Sequence, residues 1–313
     1  MIKKFKLNPI TLKKLQRFRS IKRGYWSFLL LFFLFGLSLM GELFVNKRAL
    51  LVWYEGELFF PTYGSQISGK TFGLDYDYET NYRELKRKFQ KDDSSHWVLM
   101  PPVPYDPFEM DYADEESTGY SPPSFADGHY CGTDKTERDV LARLLYGFRI
   151  AMIFSFGYLI LTYFIAICAG SIMAYLGGKT DILGLRLVEI WANVPFLYMV
   201  IILVSVMPGW WGVGWQVASL LFIMVLFSWT GMTYYVRAAV YKEKARDYVA
   251  AARVLGASPF RVIFRHLLPN VISTLVTFAP FTVAAAISSI TALDFLGYGL
   301  PAPTPSWGEL LKQ

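Results

Sequence analysis

The chain has 313 residues, of which 54% are apolar and 17% aromatic, and its formal net charge is +6. This composition is too apolar for an ordinary water-soluble domain, and the apolar residues come in long blocks. The positive charge is concentrated in two segments rather than spread over one surface, so it gives no indication of nucleic-acid binding.

The N-terminal segment 1–24 contains nine Lys and Arg residues and no acid, and the apolar tract 25–45 follows it. A membrane span takes about 20 predominantly apolar residues, so we predict the first transmembrane helix at 25–45. Cytoplasmic segments are rich in Lys and Arg, which predicts a cytoplasmic N-terminus. A cleaved signal peptide is the alternative, but the tract is long and no small-x-small site follows it.

Segment 46–147 is rich in Tyr, Asp, Pro and Gly and has 18 acids against 11 bases. We predict that it lies on the outer, periplasmic face as loops, short strands and short helices, with a poorly ordered excursion as the alternative. The residues expected to form a thin core are Trp53, Tyr54, Phe59, Phe60, Trp97 and Val98. His129 and Cys131 have no third ligand at suitable spacing, so no metal site is expected.

Residues 148–296 are expected to form the membrane core. Three apolar tracts lie in it, and one of them, 190–236, is long enough for two passes and is broken at 208–212. Together with the first span, the sequence predicts five spans, at 25–45, 150–176, 187–207, 215–236 and 271–293. Alternation then places 237–270 inside and 297–313 outside.

Two polar features lie near these spans. Residues 177–180, Gly-Gly-Lys-Thr, resemble the end of a phosphate-binding loop, but Met173 stands where that loop needs Gly, and a span precedes it. We therefore predict a turn, with no ATP site and no cofactor in this chain. Glu189 and Asn193 are possible intramembrane functional groups, although pairing of Glu189 with Arg186 would also explain them.

The insert 237–270 has seven Lys and Arg residues against two acids, as expected for a cytoplasmic segment. Asp247 is a good N-cap, and Gly256 suits the position after the end of a helix. Ser258 would cap a second helix with Pro259 at its first position, and Pro269 would end it. The second helix has one apolar face, formed by Phe260, Ile263, Phe264 and Leu267. That face alone is also typical of an amphipathic helix lying on lipid.

At these residues a resemblance becomes specific. The stretch from Asp247 to Asn270, DYVAAARVLGASPFRVIFRHLLPN, resembles the "EAA" loop of bacterial ABC importer permeases. Ala250 stands in place of the Glu of that motif, whereas Ala251, Ala252, Gly256 and the pair Leu268-Pro269 match it. The resemblance implies that a separate ATPase docks here and binds the ATP. The other residues of the candidate docking site are Asp247, Arg253, Ser258, Pro259 and His266.

Three other segments resemble dipeptide and oligopeptide permeases of the C type. They are CGTDKTERDVLARLLYGFRIAM, LDFLGYGLPAPTPSWGELL, and the early stretch from RGYWSF to ELFFP, which is most similar to microcin C and oligopeptide uptake permeases. Glu137 replaces the usual Gly, so an altered turn is expected there. Members of this family make one further pass. The chain ends at Gln313 on the outer side, so the resemblance implies that this pass is missing or supplied otherwise.

The resemblance implies an all-α polytopic membrane protein with the type I ABC importer permease fold and a mixed, irregular periplasmic insert. Its expected partners are a second permease, cytoplasmic ATPases, a periplasmic peptide-binding protein and the lipid bilayer of the bacterial inner membrane. It would be a transport subunit and not an enzyme. An ion-coupled secondary transporter would show inverted repeats and paired broken helices. A membrane anchor for the outer segment would not need the insert 237–270.

Overall fold

A computed structural model describes residue 16 and residues 18–92, 95–110 and 121–313, apart from the side chain of Thr274. Residues 1–15 and 17 of the basic N-terminal segment lie outside the described part. The chain divides into two compact units, here called the outer unit, which ends at Arg149, and the membrane unit, Ile150–Gln313.

The outer unit begins with the helix predicted as the first span. Helix α1, Lys22–Leu39, ends six residues before the predicted boundary, and a 3-10 turn, Gly41–Leu43, follows it. Ser38 is its one buried residue, so its apolar side chains are left for lipid or another subunit. Glu42 accepts a hydrogen bond from Arg149 Nη1 at 2.8 Å.

A small antiparallel sheet forms the centre of the outer unit. Strands β1, Leu51–Tyr54, β2, Glu57–Phe59, and β3, Trp97–Leu99, are arranged in the order β2-β1-β3. The β1–β2 turn places Glu55 and Gly56 at φ values of 48° and 86°, as a tight two-residue hairpin requires. Helix α2, Tyr82–Lys91, is capped by the Asn81 side chain, which accepts from the amides of Arg83 and Glu84. Partial order of this segment is therefore observed.

The predicted core of this unit is half right. Val98 is buried in the apolar cluster of this unit, and Tyr54 and Phe59 are partly buried and pack against that cluster. Phe60 and Trp97, in contrast, are 55% and 45% exposed. Strand side chains alternate between the two faces, so Val98 pointing inward forces Trp97 outward. The other buried core residues are Ala49, Val52, Phe72 and Leu74, together with Tyr82, Leu85 and Phe89 of helix α2.

A buried polar turn precedes the long helix that begins at Val140. Asp134 accepts hydrogen bonds from Thr136 Oγ1 at 2.7 Å and from Arg138 Nε at 2.9 Å. Glu137 has a φ of 60°, in the left-handed region that favours glycine. The turn expected to be altered by Glu137 thus keeps a glycine-like backbone conformation.

From residue 140 onward the chain is helical. The helices are α3, Val140–Leu176; α4, Gly178–Ala192; α5, Phe196–Ser205; α6, Val213–Lys244; α7, Asp247–Val254; α8, Pro259–Arg261; α9, Leu268–Leu296; and α10, Trp307–Lys312. A π turn, Val262–Leu267, joins α8 to α9.

Three helical segments among the described residues are long and apolar enough to cross a membrane: α3, α6 and the Leu275–Leu296 part of α9. Helices α4 and α5 make a fourth span if taken together, and they are bent by 69°. The span predicted at 187–207 is therefore not one continuous helix, because Pro195 disfavours helix at the preceding residue and the chain breaks there. Three to four of the five predicted spans are thus supported, and the all-α membrane fold is confirmed.

The C-terminal helix α10 packs closely on the end of α9. A Cβ at Gly308 would lie 2.2 Å from the carbonyl oxygen of Thr291, so only glycine permits this approach. Asp294 is 9% exposed, and its Oδ1 accepts from the amide of Leu300 at 2.5 Å. Asp294 is therefore buried and holds the turn after α9.

Candidate functional site

Helix α7 opens the candidate docking segment. It begins at Asp247, but Arg246 occupies the N-cap position with extended backbone, and no side chain caps the helix. The prediction of Asp247 as N-cap is therefore wrong by one residue. Asp247 lies in the first helical turn instead, where a carboxylate still interacts favourably with the helix dipole.

The end of α7 is as predicted. Gly256 has a φ of 78°, its amide donates to the carbonyl of Arg253 at 2.9 Å, and the amide of Ala257 donates to that of Ala252 at 3.0 Å. This pair of bonds is the Schellman motif, which reverses the chain after a helix. A glycine here allows the left-handed backbone, so the turn between the two helices is fixed by local sequence.

The second helix starts as predicted but does not end where predicted. Ser258 Oγ accepts from the amide of Arg261 at 3.4 Å, with Pro259 at the first helical position. Pro269 lies in the first turn of α9 and does not end a helix, because the path continues through the π turn. Proline lacks an amide hydrogen, and its ring clashes with the carbonyl four residues earlier in an α-helix. The wider π turn just before it avoids that clash.

One face of the insert is buried against the membrane helices. Val249, Val262 and Leu267 are each 0% exposed and pack with residues of α3, α6 and α9. Ala252 is also buried. Of the small residues predicted to meet a partner, Ala252 thus faces this chain's own core.

The opposite face carries large apolar side chains into solvent. Val254 is 87% exposed, Leu255 86%, Phe260 70% and Phe264 46%. The rings of Phe260 and Phe264 pack with their centroids 4.3 Å apart. Ala250 and Ala251 are also exposed. We call these six residues the outward face. The predicted single apolar face of the second helix is wrong, because Leu267 points inward while the two phenylalanines point outward.

The other predicted site residues lie on the same insert. Arg253, Ser258, Pro259 and Pro269 are exposed, and His266 and Leu268 are partly buried. Tyr248 Oη donates to Glu243 Oε2 at 2.8 Å and accepts from Asn270 Nδ2 at 3.0 Å. Burial raises the pKa of Tyr248 and the bond to Glu243 raises it further, so the hydroxyl stays protonated at neutral pH.

Several polar contacts at the insert 237–270 join residues that no sequence pattern connects. Lys244 Nζ donates to the carbonyl oxygens of Ala174 and Tyr175 at 3.0 and 2.7 Å. Arg237 makes a two-pronged ion pair with Asp181, at 2.6 and 2.5 Å. The partners of this pair are 56 residues apart in sequence, and no local pattern connects them.

Glu189 pairs with Arg186, which is the alternative to an intramembrane functional role for Glu189 and Asn193. Arg186 Nη1 donates to Glu189 Oε2 at 2.7 Å, three residues away on the same helix. Asn193 Nδ2 donates to the carbonyl of Glu189 at 2.8 Å at the end of α4. Both side chains therefore make hydrogen bonds within helix α4 and its C-terminal end.

The Gly-Gly-Lys-Thr stretch forms a turn between two helices. Gly177 and Gly178 have φ values of 69° and 52°, and α4 starts at Gly178. Helix α3 precedes this turn, whereas a phosphate-binding loop follows a strand.

Comparison with known proteins gives consistent matches. The profile of the family described as binding-protein-dependent transport system inner membrane component matches residues 166–313. The chain is 38% identical to the inner membrane ABC transporter permease protein YejE of Escherichia coli, over 98% of this chain and 87% of that protein. It is 36% identical to the peptidoglycan transport system permease protein YejE of Agrobacterium fabrum, over 98% of this chain and 84% of that protein. It is also 36% identical to the dipeptide transport system permease protein DppC of Bacillus subtilis, over 60% of this chain and 57% of that protein.

Proposed function

Since this chain belongs to the family of binding-protein-dependent transport system inner membrane components, we propose that the outward face of its insert 237–270 is the docking site for an ATPase subunit. The chain is a multi-pass inner-membrane permease of the peptide and oligopeptide ABC importers. Permeases of this family are transport subunits and not themselves enzymes, and they work with a second permease, ATPases and substrate-binding proteins.

The observation that carries the docking proposal is the outward face. Its four large apolar side chains are between 46% and 87% exposed, and burying one such side chain contributes about 1.5–3 kcal/mol. A partner protein that covered them would gain much of that free energy. Ala250 and Ala251 beside them permit close approach of another backbone, which a lipid contact would not require.

Charge supports a cytoplasmic position for this face. The insert has seven Lys and Arg residues against two acids, and segment 1–24 has nine and none. Both segments therefore belong on the cytoplasmic side by the positive-inside rule. On this orientation the N-terminus is cytoplasmic and segment 46–147 is periplasmic, and the ATP is bound by the partner subunits.

We propose a transport cycle driven by the ATPases. A periplasmic binding protein delivers a peptide to the outer face, where this chain and a second permease form the path. Closure of the ATPases on ATP moves the docked inserts of both permeases and opens the path outward. The binding energy of ATP thus enters this chain at α7 and the Gly256 turn.

A second substrate class is favoured by the comparisons. Two relatives matched over 98% of this chain are YejE proteins, one of which is named for peptidoglycan transport. The DppC match covers 60%. We therefore propose peptides of peptidoglycan origin alongside ordinary oligopeptides. Uptake of a labelled peptidoglycan peptide in competition with an unrelated oligopeptide separates the two classes.

The docking proposal is tested by Gly256→Pro. Proline is locked near a φ of −65° and cannot adopt the 78° of Gly256, so the turn that presents the outward face is lost. We expect the ATPase to co-purify with the wild-type complex and not with this variant. Gly56→Pro is the matched control, since Gly56 has a φ of 86°, open surroundings and a place in the outer unit. Equal recovery of the ATPase with Gly256→Pro would show that the docking role is wrong.

A secondary transporter is separated from this proposal by the energy source. Among the described residues one bent helix pair is present, α4 with α5, whereas paired broken helices are typical of that class. Uptake into vesicles that contain the partner subunits should require internal ATP and persist without an ion gradient.

A further inference from the structure

We propose that Lys244 and Tyr175 form a joint that carries the movement of α7 into α3, and that the Asp181–Arg237 pair extends it to α4. The proposal rests on ATPase docking at the insert. These residues would be positioning residues, since they touch neither ATP nor peptide and act through the helices they connect.

Lys244 links the inner ends of two spans. It is the last residue of α6, and its ammonium donates to the carbonyl oxygens of Ala174 and Tyr175 near the end of α3. The last four carbonyls of a helix lack partners within the helix, and a cation there interacts favourably with the helix dipole. The link is therefore made of charge-assisted hydrogen bonds, which are stronger than neutral ones.

Tyr175 links the same point to the docking helix. The guanidinium of Arg253, on α7, lies 4.9 Å from the centre of the Tyr175 ring. The ammonium of Lys244 lies 5.8 Å from the same ring. Cations over an aromatic face are attracted to it. One residue of α3 thus receives a cation from α6 on its carbonyl and a cation from α7 on its ring.

The helices around this joint are packed closely enough to move together. A Cβ at Gly170 of α3 would lie 2.9 Å from the carbonyl oxygen of Thr233 and from Cβ of Val236 on α6. Val249 of α7 and Val240 of α6 are each 0% exposed in one apolar cluster with Ala174. Close packing transmits displacement because it leaves no free volume to absorb it. A shift of α7 would therefore displace the inner ends of α3 and α6.

The ion pair carries this displacement to the bent span. Both prongs of the Arg237 guanidinium on α6 reach the two carboxylate oxygens of Asp181 on α4. The same guanidinium lies 5.1 Å from the ring of Tyr241. Helix α4 is the first half of the pair that bends by 69° before α5. The joint would therefore connect ATPase docking with the hinge between α4 and α5.

The test measures coupling rather than stability. The transporter is assembled from both permeases, the ATPases and the binding protein, with Lys244→Met in this chain. It is then placed in vesicles. We expect the ATPase to remain bound and ATP to be hydrolysed, while peptide transported per ATP falls by about 2- to 30-fold, the range of typical coupling effects. Lys244→Arg should restore the ratio, because it keeps a donor cation. Lys242→Met is the matched control on the same helix turn, where the side chain is exposed.

A second variant checks the extension to α4. Asp181→Asn removes the charge of the pair at similar size, and Asp181→Glu keeps it. We expect Asp181→Asn to lower the transport-to-hydrolysis ratio and Asp181→Glu to recover part of it.

The outcomes separate the two proposals. An unchanged ratio in Lys244→Met, an equal loss in Lys242→Met or no rescue by Lys244→Arg would overturn the joint. Loss of the ATPase from Lys244→Met would also overturn it, by making Lys244 part of docking. A wild-type complex that holds no ATPase would refute the docking proposal, and the joint with it.

Discussion

The outward face and the buried face of the insert can be separated with two leucines. Leu255 is 86% exposed on the outward face, and Leu267 is 0% exposed against the membrane helices. Replacing each of them with alanine removes the same atoms from opposite environments. The same substitution should therefore affect docking in one case and folding in the other.

The magnitudes depend on burial. Truncation of a fully buried leucine costs about 2–5 kcal/mol, so Leu267→Ala should lower the stability of the membrane unit by that amount. Complete burial of a leucine contributes about 1.5–3 kcal/mol, of which Leu255 has gained only about a seventh in the free chain. Leu255→Ala should therefore change stability by less than about 0.5 kcal/mol. If docking buries the rest of Leu255, ATPase affinity should fall by about 9- to 80-fold.

Two measurements on protein in nanodiscs check this expectation. Thermal unfolding reports stability, and titration with purified ATPase reports affinity. Leu58→Ala, at a 44% exposed leucine of the outer sheet, should leave ATPase affinity unchanged. Wild-type ATPase affinity in Leu255→Ala would refute the outward face as the docking surface. Wild-type unfolding of Leu267→Ala would refute the claim that the insert is anchored by its buried side.

Three further changes test the local structure. Glu55→Asn should increase the free energy of unfolding of the outer unit by about 0.4–1 kcal/mol and so raise its thermal midpoint, because Asn suits the φ of 48° better. A lower midpoint would contradict the turn assignment. Gly308→Ala should cost about 1–3 kcal/mol and release α10, measured as faster proteolysis after α9, since its Cβ would meet the carbonyl of Thr291. Burial opposes the charge of Asp134, but hydrogen bonds from Thr136 and Arg138 outweigh it and lower its pKa. The ionised Asp134 therefore stabilises the folded chain above pH ~4, and this contribution is lost as pH falls through the lowered pKa. In Asp134→Asn, the unfolding midpoint should consequently fall less steeply as the pH is lowered.

The sequence predicted those features that depend on a few neighbouring residues. The Gly256 turn and the Ser258 cap each need one residue type at one position, and both are observed. The approximate places of the long spans α3, α6 and α9 follow from blocks of apolar residues. The joint at Lys244 could not be predicted this way, because its acceptors are backbone carbonyls about 70 residues earlier. Any lysine at the end of a span satisfies the positive-inside rule equally well, so the sequence gives no reason to single this one out.

The direction of a helix and the side to which a side chain points were harder to predict than the presence of an apolar segment. The average apolar character of 187–207 is that of one span, but it says nothing about the 69° bend between α4 and α5. The local signal was Pro195, and the residue before a proline is disfavoured in a helix. In the outer sheet, Trp97 was assigned to the core because it is aromatic. Strand alternation about Val98 decides the matter instead, and it places Trp97 outside.

The split of the predicted face on the second helix has the same kind of cause. The positions 260, 263, 264 and 267 share a face only if each turn has 3.6 residues. The π turn at Val262–Leu267 adds about one residue to a turn, which rotates the later side chains by roughly 100° about the helix axis. Leu267 therefore points into the membrane unit while Phe260 and Phe264 stay outside. Pro269 accounts for the wider turn, since its ring would clash in a regular α-helix. The proline expected to end the helix thus sets which side chains anchor the insert and which stay exposed on the outward face.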